Sequence, residues 1–187
     1  MNQEGLKGIQ FHSERMRQIT NLVNSLIPLE SSLNISGPSG SGKTAWANHI
    51  IEQSQLQDKI LRLDIKEIDE ENFKSYLEKN NFRHLLLENI EYLHKENQAV
   101  LAQYLQKNAI ISKSVVISTS VRGLAELAQQ GLLRQDLYYK LTVFRVELPS
   151  LKDITDEIPV VAQSYMQSFA VAYKKENLKI SPEAMAK

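Results

Sequence analysis

Apolar positions along the chain fall into short continuous runs, separated by stretches in which they recur every three or four residues. The runs read as strands: Ser32-Leu33-Asn34-Ile35-Ser36, Ile60-Leu61-Arg62-Leu63-Asp64, His84-Leu85-Leu86-Leu87-Glu88 and Val115-Val116-Ile117-Ser118. A fifth, Val143-Phe144-Arg145-Val146-Glu147-Leu148, alternates. The unbroken leucines of the third run suit a strand covered on both faces. Between the runs, the spacing predicts a helix from about Lys43 to Gln55, with Ala45, Trp46, Ala47, Ile50 and Ile51 as its apolar positions. Further helices are expected over Glu70–Lys79, with Phe73 and Leu77 on one face, and over Glu96–Gln106, with Val100, Leu101, Tyr104 and Leu105 inward. A short one, Leu124–Gln130, stops at Gly131. Strands alternating with helices imply a parallel sheet with helices on both faces.

Pro149 breaks this pattern. A helix follows over roughly Asp156–Tyr173, with Pro159 in its first turns, where a missing donor does least harm. Ile180–Met185 reads as a helix that has only begun, with Ser181 as cap and Pro182 at its first position. The reading is an α/β domain over residues 1–150, and over 151–187 the start of a second, helical unit inside which the chain stops.

Composition narrows the function classes. A chain of 187 residues and 21.3 kDa suits one domain, or one domain plus a fragment of a second. Lys+Arg and Asp+Glu are both 22, and that balance argues against holding nucleic acid by bulk charge. The absence of cysteine excludes disulfides, thiolate metal sites and cysteine nucleophiles. His12, His49, His84 and His94 show no metal-ligand spacing. Met1–Met16 lacks the apolar core of a signal peptide, and no run approaches the roughly 20 residues that span a bilayer. A cytoplasmic protein without a membrane partner is expected.

The sharpest chemical feature is Gly37-Pro38-Ser39-Gly40-Ser41-Gly42-Lys43-Thr44, which matches G-x-x-x-x-G-K-S/T at every fixed position. Triphosphates need many aligned donors close to the main chain. Glycines permit the tight turn, and the following helix points its positive end at the same place. Lys43 is expected against the β- and γ-phosphates of ATP, and the Thr44 hydroxyl on Mg²⁺. A companion acid should end an apolar strand, and Glu88 after Leu85-Leu86-Leu87 fits in outline, one methylene longer than the usual Asp. The following position normally holds an acid that polarises the attacking water; here it is Asn89. An amide orients water but cannot take its proton near neutral pH. Glu91 is a displaced candidate base.

The segment Gly131-Leu132-Leu133-Arg134-Gln135-Asp136-Leu137-Tyr138-Tyr139-Lys140-Leu141 resembles the G-x-F-R-x-D-L-Y-Y-R-L stretch of the AAA+ domain of sigma-54-dependent bacterial transcription activators. Leu148-Pro149-Ser150-Leu151-Lys152-Asp153 and Asp156-Glu157-Ile158-Pro159 are similar to that family's L-P-P-L-R-x-R…D-I-P run, and Ser13-Glu14-Arg15-Met16 to its S-P-x-M segment. The resemblance implies a P-loop NTPase fold of the AAA+ type and the start of a helical lid. It also implies a ring-forming ATPase whose neighbouring subunits supply arginines to the transferring phosphoryl group. Arg134 matches the first such arginine; Lys140 stands in place of the second and lacks its planar fork. Thr119-Ser120-Val121-Arg122-Gly123-Leu124 is similar to the family's A-T-N-R-D-L, with Val121 replacing the asparagine that senses the γ-phosphate and Ser120 keeping a hydroxyl. The family's long insertion with its sigma-gripping G-A-F-T-G-A loop has no counterpart, since only about 30 residues separate Gln55 from Leu85. The family's W-P-G-N-V-R-E-L segment and a helix-turn-helix are also missing from the chain.

Together these features predict ATP and Mg²⁺ binding with slow or absent hydrolysis, in the regulation of transcription. A working ATPase of an activator ring and a small P-loop phosphotransferase are the competing readings. The expected partners are nucleotide and a ring of like copies or of a related regulator. Direct contact with sigma-54 or with DNA is not expected from this chain.

Overall fold

The computed structural model of the chain describes residues 6, 9–54, 56, 60–79, 84–111, 115–175 and 178–185. Helix α1 (Glu14–Leu26) leads into strand β1 (Leu33–Ser36), then α2 (Lys43–Gln53), β2 (Ile60–Asp64), α3 (Phe73–Lys79) and β3 (His84–Glu88). Then come α4 (Lys95–Ile111), β4 (Val116–Ser120), α5 (Leu124–Gln129), α6 (Gln135–Leu141), β5 (Phe144–Glu147), α7 (Ile158–Ala172) and α8 (Pro182–Met185). The five strands form one sheet in the order β2-β3-β4-β1-β5, with every pairing parallel. Parallel pairing forces a crossover between neighbours, so all strand C-terminal ends lie along one edge.

The sheet separates two apolar cores. Leu85 and Leu87 pack with Phe73, Leu77, Leu101, Leu105, Leu127 and Leu137, from α3 to α6. Leu86 points the other way, to Trp46, Ile50 and Ile51 of α2 and Val23 of α1. All three leucines of β3 are fully buried, as a strand covered on both faces requires. Between the cores, Asn34 of β1 donates to Ser118 Oγ at 3.0 Å and to Ser120 Oγ at 3.4 Å, satisfying polar groups that burial would otherwise penalise.

The helix α1 was not anticipated from the pattern. Its stripe Met16, Ile19, Val23 and Leu26 is narrow and set among polar residues, while Ser13 caps its start by accepting from the Met16 amide. Helix α6 was read as a motif rather than as a helix, and α4 runs to Ile111, beyond the expected Gln106. The expected end of α2 at Gln55 lies outside the described residues; the helix is described to Gln53. The expected helix over Asp156–Tyr173 begins instead with a short 3-10 turn, Thr155–Glu157, and becomes α-helical at Ile158, with Pro159 in its first turn. No residue of α7 is buried.

Candidate phosphate-binding site

Residues 37–42 connect β1 to α2 at the strand-end edge of the sheet. The Gly37 amide donates to Ser120 O at 3.1 Å, which ties the loop to β4. A Cβ at Gly37 would stand 2.8 Å from Leu148 O and from Ser41 Oγ, so the loop closes only around glycine. Gly42 takes φ of +87° as the N-cap of α2 and has no side chain to cap it. The first amide bonded back into the helix is that of Trp46, onto Gly42 O at 3.0 Å. The amides of Lys43, Thr44 and Ala45 therefore have no partner within the helix and add to the positive end of its dipole.

The side chains follow the same logic. Lys43 Nζ donates to Gly37 O and Pro38 O, both at 2.8 Å, so the ammonium lies folded over its own loop. Burial pushes its pKa below the usual lysine range; the Glu91 carboxylate pulls it back up, and Lys66 pushes it down again. Ser41 Oγ is buried without a hydrogen-bond partner among the described residues. Thr44 Oγ1 donates to Glu88 Oε1 at 2.5 Å, which joins the start of α2 to the end of β3.

Asn89 follows in left-handed backbone, φ +58°, a conformation that asparagine tolerates better than most residues. Its Nδ2 donates to Asp64 Oδ1 at 2.8 Å, across the register pair Asp64–Glu88, and its amide donates to Thr119 Oγ1 at 3.2 Å. Glu91 Oε1 accepts from the Val121 amide at 2.9 Å. The Ser120 hydroxyl is buried beside Asn34, while the Val121 side chain is partly exposed and brings no polar group.

Lys43, Thr44, Glu88 and Asn89 thus meet at the ends of β1 and β3. Arg134 does not join them. It forms the N-cap of α6, and its side chain is engaged by Asp136, with Nε to Oδ1 at 3.1 Å and Nη2 to Oδ2 at 2.9 Å. That paired carboxylate raises the arginine pKa further. The main chain of Arg134 is fixed by buried Gln98, whose Oε1 accepts from the Arg134 amide while Nε2 donates to Leu93 O and Leu132 O, all at 2.9 Å. Gln98 and Asp64 are the contributors that the sequence reading missed. Asp64 was marked only by its place at a strand end, and Gln98 by nothing beyond being a polar residue within an amphipathic helix.

The residues suit a magnesium-bound nucleotide. Amides without a helix partner at the start of α2, an orphaned Ser41 hydroxyl and a loop that closes tightly at Gly37 fit a phosphate chain. The oxygens of Thr44 and Glu88 are hard ligands of the kind Mg²⁺ takes. Among the described residues no group of three or more His, Asp or Glu side chains could hold a metal alone, so a cation here would share its ligands with phosphate and water.

The transcriptional regulatory protein ZraR of Escherichia coli (strain K12) is 29% identical over 207 residues, covering 95% of this chain and 47% of ZraR. The HTH-type transcriptional regulatory protein TyrR of Salmonella typhimurium is 28% identical over 180 residues, covering 84% of this chain and 35% of TyrR. The chain spans half or less of the length of these relatives. Among solved structures, NtrX from Brucella abortus in complex with ATP superposes with a TM-score of 0.79 at 22% identity, over 99% of this chain and 48% of that one. The P-loop NTPase domain of the Sigma-54 transport activator from E. coli superposes at 0.59 with 19% identity, over 76% of this chain and 99% of its own. The fold is that of an AAA+ P-loop NTPase domain. The profile of the Sigma-54 interaction domain matches residues 12–151, and the chain belongs to that family.

Proposed function

We propose that the chain is an ATP-binding domain of a transcription-regulator assembly that hydrolyses ATP slowly or not at all. The observation that carries this reading is Asn89: an amide committed to Asp64 at 2.8 Å stands where a proton-accepting carboxylate is needed. Binding draws on the main-chain amides after Gly42, with Lys43 moving from its own loop carbonyls to phosphate oxygens. Thr44 and Glu88 would hold Mg²⁺, directly or through water, and the cation would neutralise charge on the phosphates. A base and ribose would lie in the cleft of about 350 Å³ that Gln10 and His12 line together with Gln163 and Gln167 of α7. In this reading residues 1–150 form the nucleotide domain, and 151–187 begin a helical lid.

Arg134 would act on the nucleotide of a neighbouring copy, or of a related regulator, after exchanging Asp136 for phosphate. Neither sigma-54 nor DNA is contacted directly. No helix among the described residues is long and apolar enough to cross a membrane, and the proposed setting is the cytoplasm. The test is titration with a fluorescent ATP analogue beside a phosphate-release assay. Saturable binding with little release is expected. Steady turnover would favour a working ATPase, and no binding would overturn the reading.

A further inference from the structure

Beside β3 the strand-end edge carries a carboxylate, Glu91, that neither the cradle nor the cation pair uses. After β3 the left-handed Asn89 reverses the chain into the short turn Ile90–Tyr92, and this turn carries Glu91 back over the ends of β3 and β4. Glu91 Oε1 is held by the Val121 amide at 2.9 Å, while Oε2 is buried with no hydrogen-bond partner among the described residues. The acids that end β2 and β3 are engaged. Glu88 accepts from Thr44, and Asp64 accepts from Asn89 and from the Lys66 amide at 3.0 Å. Burial lowers the Lys43 pKa, and the charge of Glu91 works against that lowering.

The cradle amides serve the inner phosphates, and Lys43 reaches the outer ones. The last phosphate of a triphosphate would extend from the loop along the strand ends, the edge at which Glu91 is held by the Val121 amide. There it would share one ammonium with a fixed carboxylate whose second oxygen has no donor of its own. A diphosphate ends short of that conflict.

We propose that Glu91 is a specificity-determining residue that makes this site hold a nucleoside diphosphate in preference to the triphosphate. The inference rests on the nucleotide-binding reading above. Glutamine at this position keeps an oxygen for the Val121 amide, removes the charge and puts an NH2 group in place of the second oxygen. ADP and a non-hydrolysable ATP analogue, each with Mg²⁺, are titrated calorimetrically into the native chain and into Glu91→Gln. The native chain is expected to bind ADP more tightly, by about tenfold, as one nearby charge at intermediate dielectric allows. Glu91→Gln is expected to narrow that ratio by a similar factor, mainly by tightening the triphosphate. A native chain that binds the analogue as tightly as ADP overturns the inference without any variant. A ratio unchanged in Glu91→Gln overturns it as well. Failure of the native chain to bind either nucleotide is the distinct result that removes the nucleotide reading, and this inference with it.

Discussion

Single residues decide what the site can do. Lys43 lies on Gly37 O and Pro38 O, so its ammonium stands over the loop. Lys43→Ala is expected to weaken nucleotide binding by about a hundredfold or more, through loss of a charge-assisted contact, with little change in thermal unfolding without ligand. Equilibrium titration of both proteins checks this. Asn89 is a subtler case. Asn89→Glu alone puts a bulkier residue in left-handed backbone and sets a second carboxylate against Asp64. That variant is expected to unfold at lower temperature than the native chain and to gain little turnover. Pairing it with Asp64→Asn restores an amide–carboxylate contact with the roles exchanged. The double variant is expected to release phosphate measurably faster than the native chain; if it stays as silent, the missing acid is not what limits hydrolysis.

Secondary-structure elements are joined by a few buried polar ties. Gln98 is 3% exposed and bridges α4 to the main chain at Leu93, Leu132 and Arg134. Gln98→Ala strands those groups, and a loss of about 2–4 kcal/mol is expected in urea unfolding. Glu157 plays the same part at the start of α7. Its Oε1 accepts from the His12 amide at 2.8 Å and the Ser13 amide at 2.5 Å, which fastens the entry to α1. Burial alone would raise this carboxyl, but hydrogen bonds from Ser13 and His12 outweigh it and hold the pKa below the ordinary value. A lowered folded pKa stabilises the fold above the ordinary carboxylate range, and that stabilisation is lost as pH falls through the folded value. The unfolding-temperature gap between native and Glu157→Gln is therefore expected to be wide at neutral pH and to close in acid. A gap independent of pH would contradict this.

These ties mark the limit of what the sequence disclosed. The five strands were legible because buried parallel strands write themselves as apolar runs, and the loop because its glycines and Lys43 stand at fixed spacing. The meeting of Thr44 with Glu88, or of Asn89 with Asp64, depends on strand order β2-β3-β4-β1-β5, which local periodicity does not encode. Helix α1 escaped because only Met16 and Val23 of its stripe are fully buried.

At the scale of the molecule, one sheet with two cores carries the glycine loop at its strand-end edge, while Arg134 faces solvent paired with Asp136. A domain built this way should respond to nucleotide mainly through stability and association rather than turnover. Ligand that binds only the folded state raises the unfolding temperature, by an amount that grows with its concentration. The central claim is that the amides after Gly42, with Lys43, grip the phosphates of a magnesium nucleotide. The most direct measurement is calorimetric titration of Mg-ATP into the folded native chain, with Lys43→Ala as the control. Saturable heat at one site per chain, absent in the variant, is the predicted result. A flat trace with native protein, or equal binding by both, would contradict it.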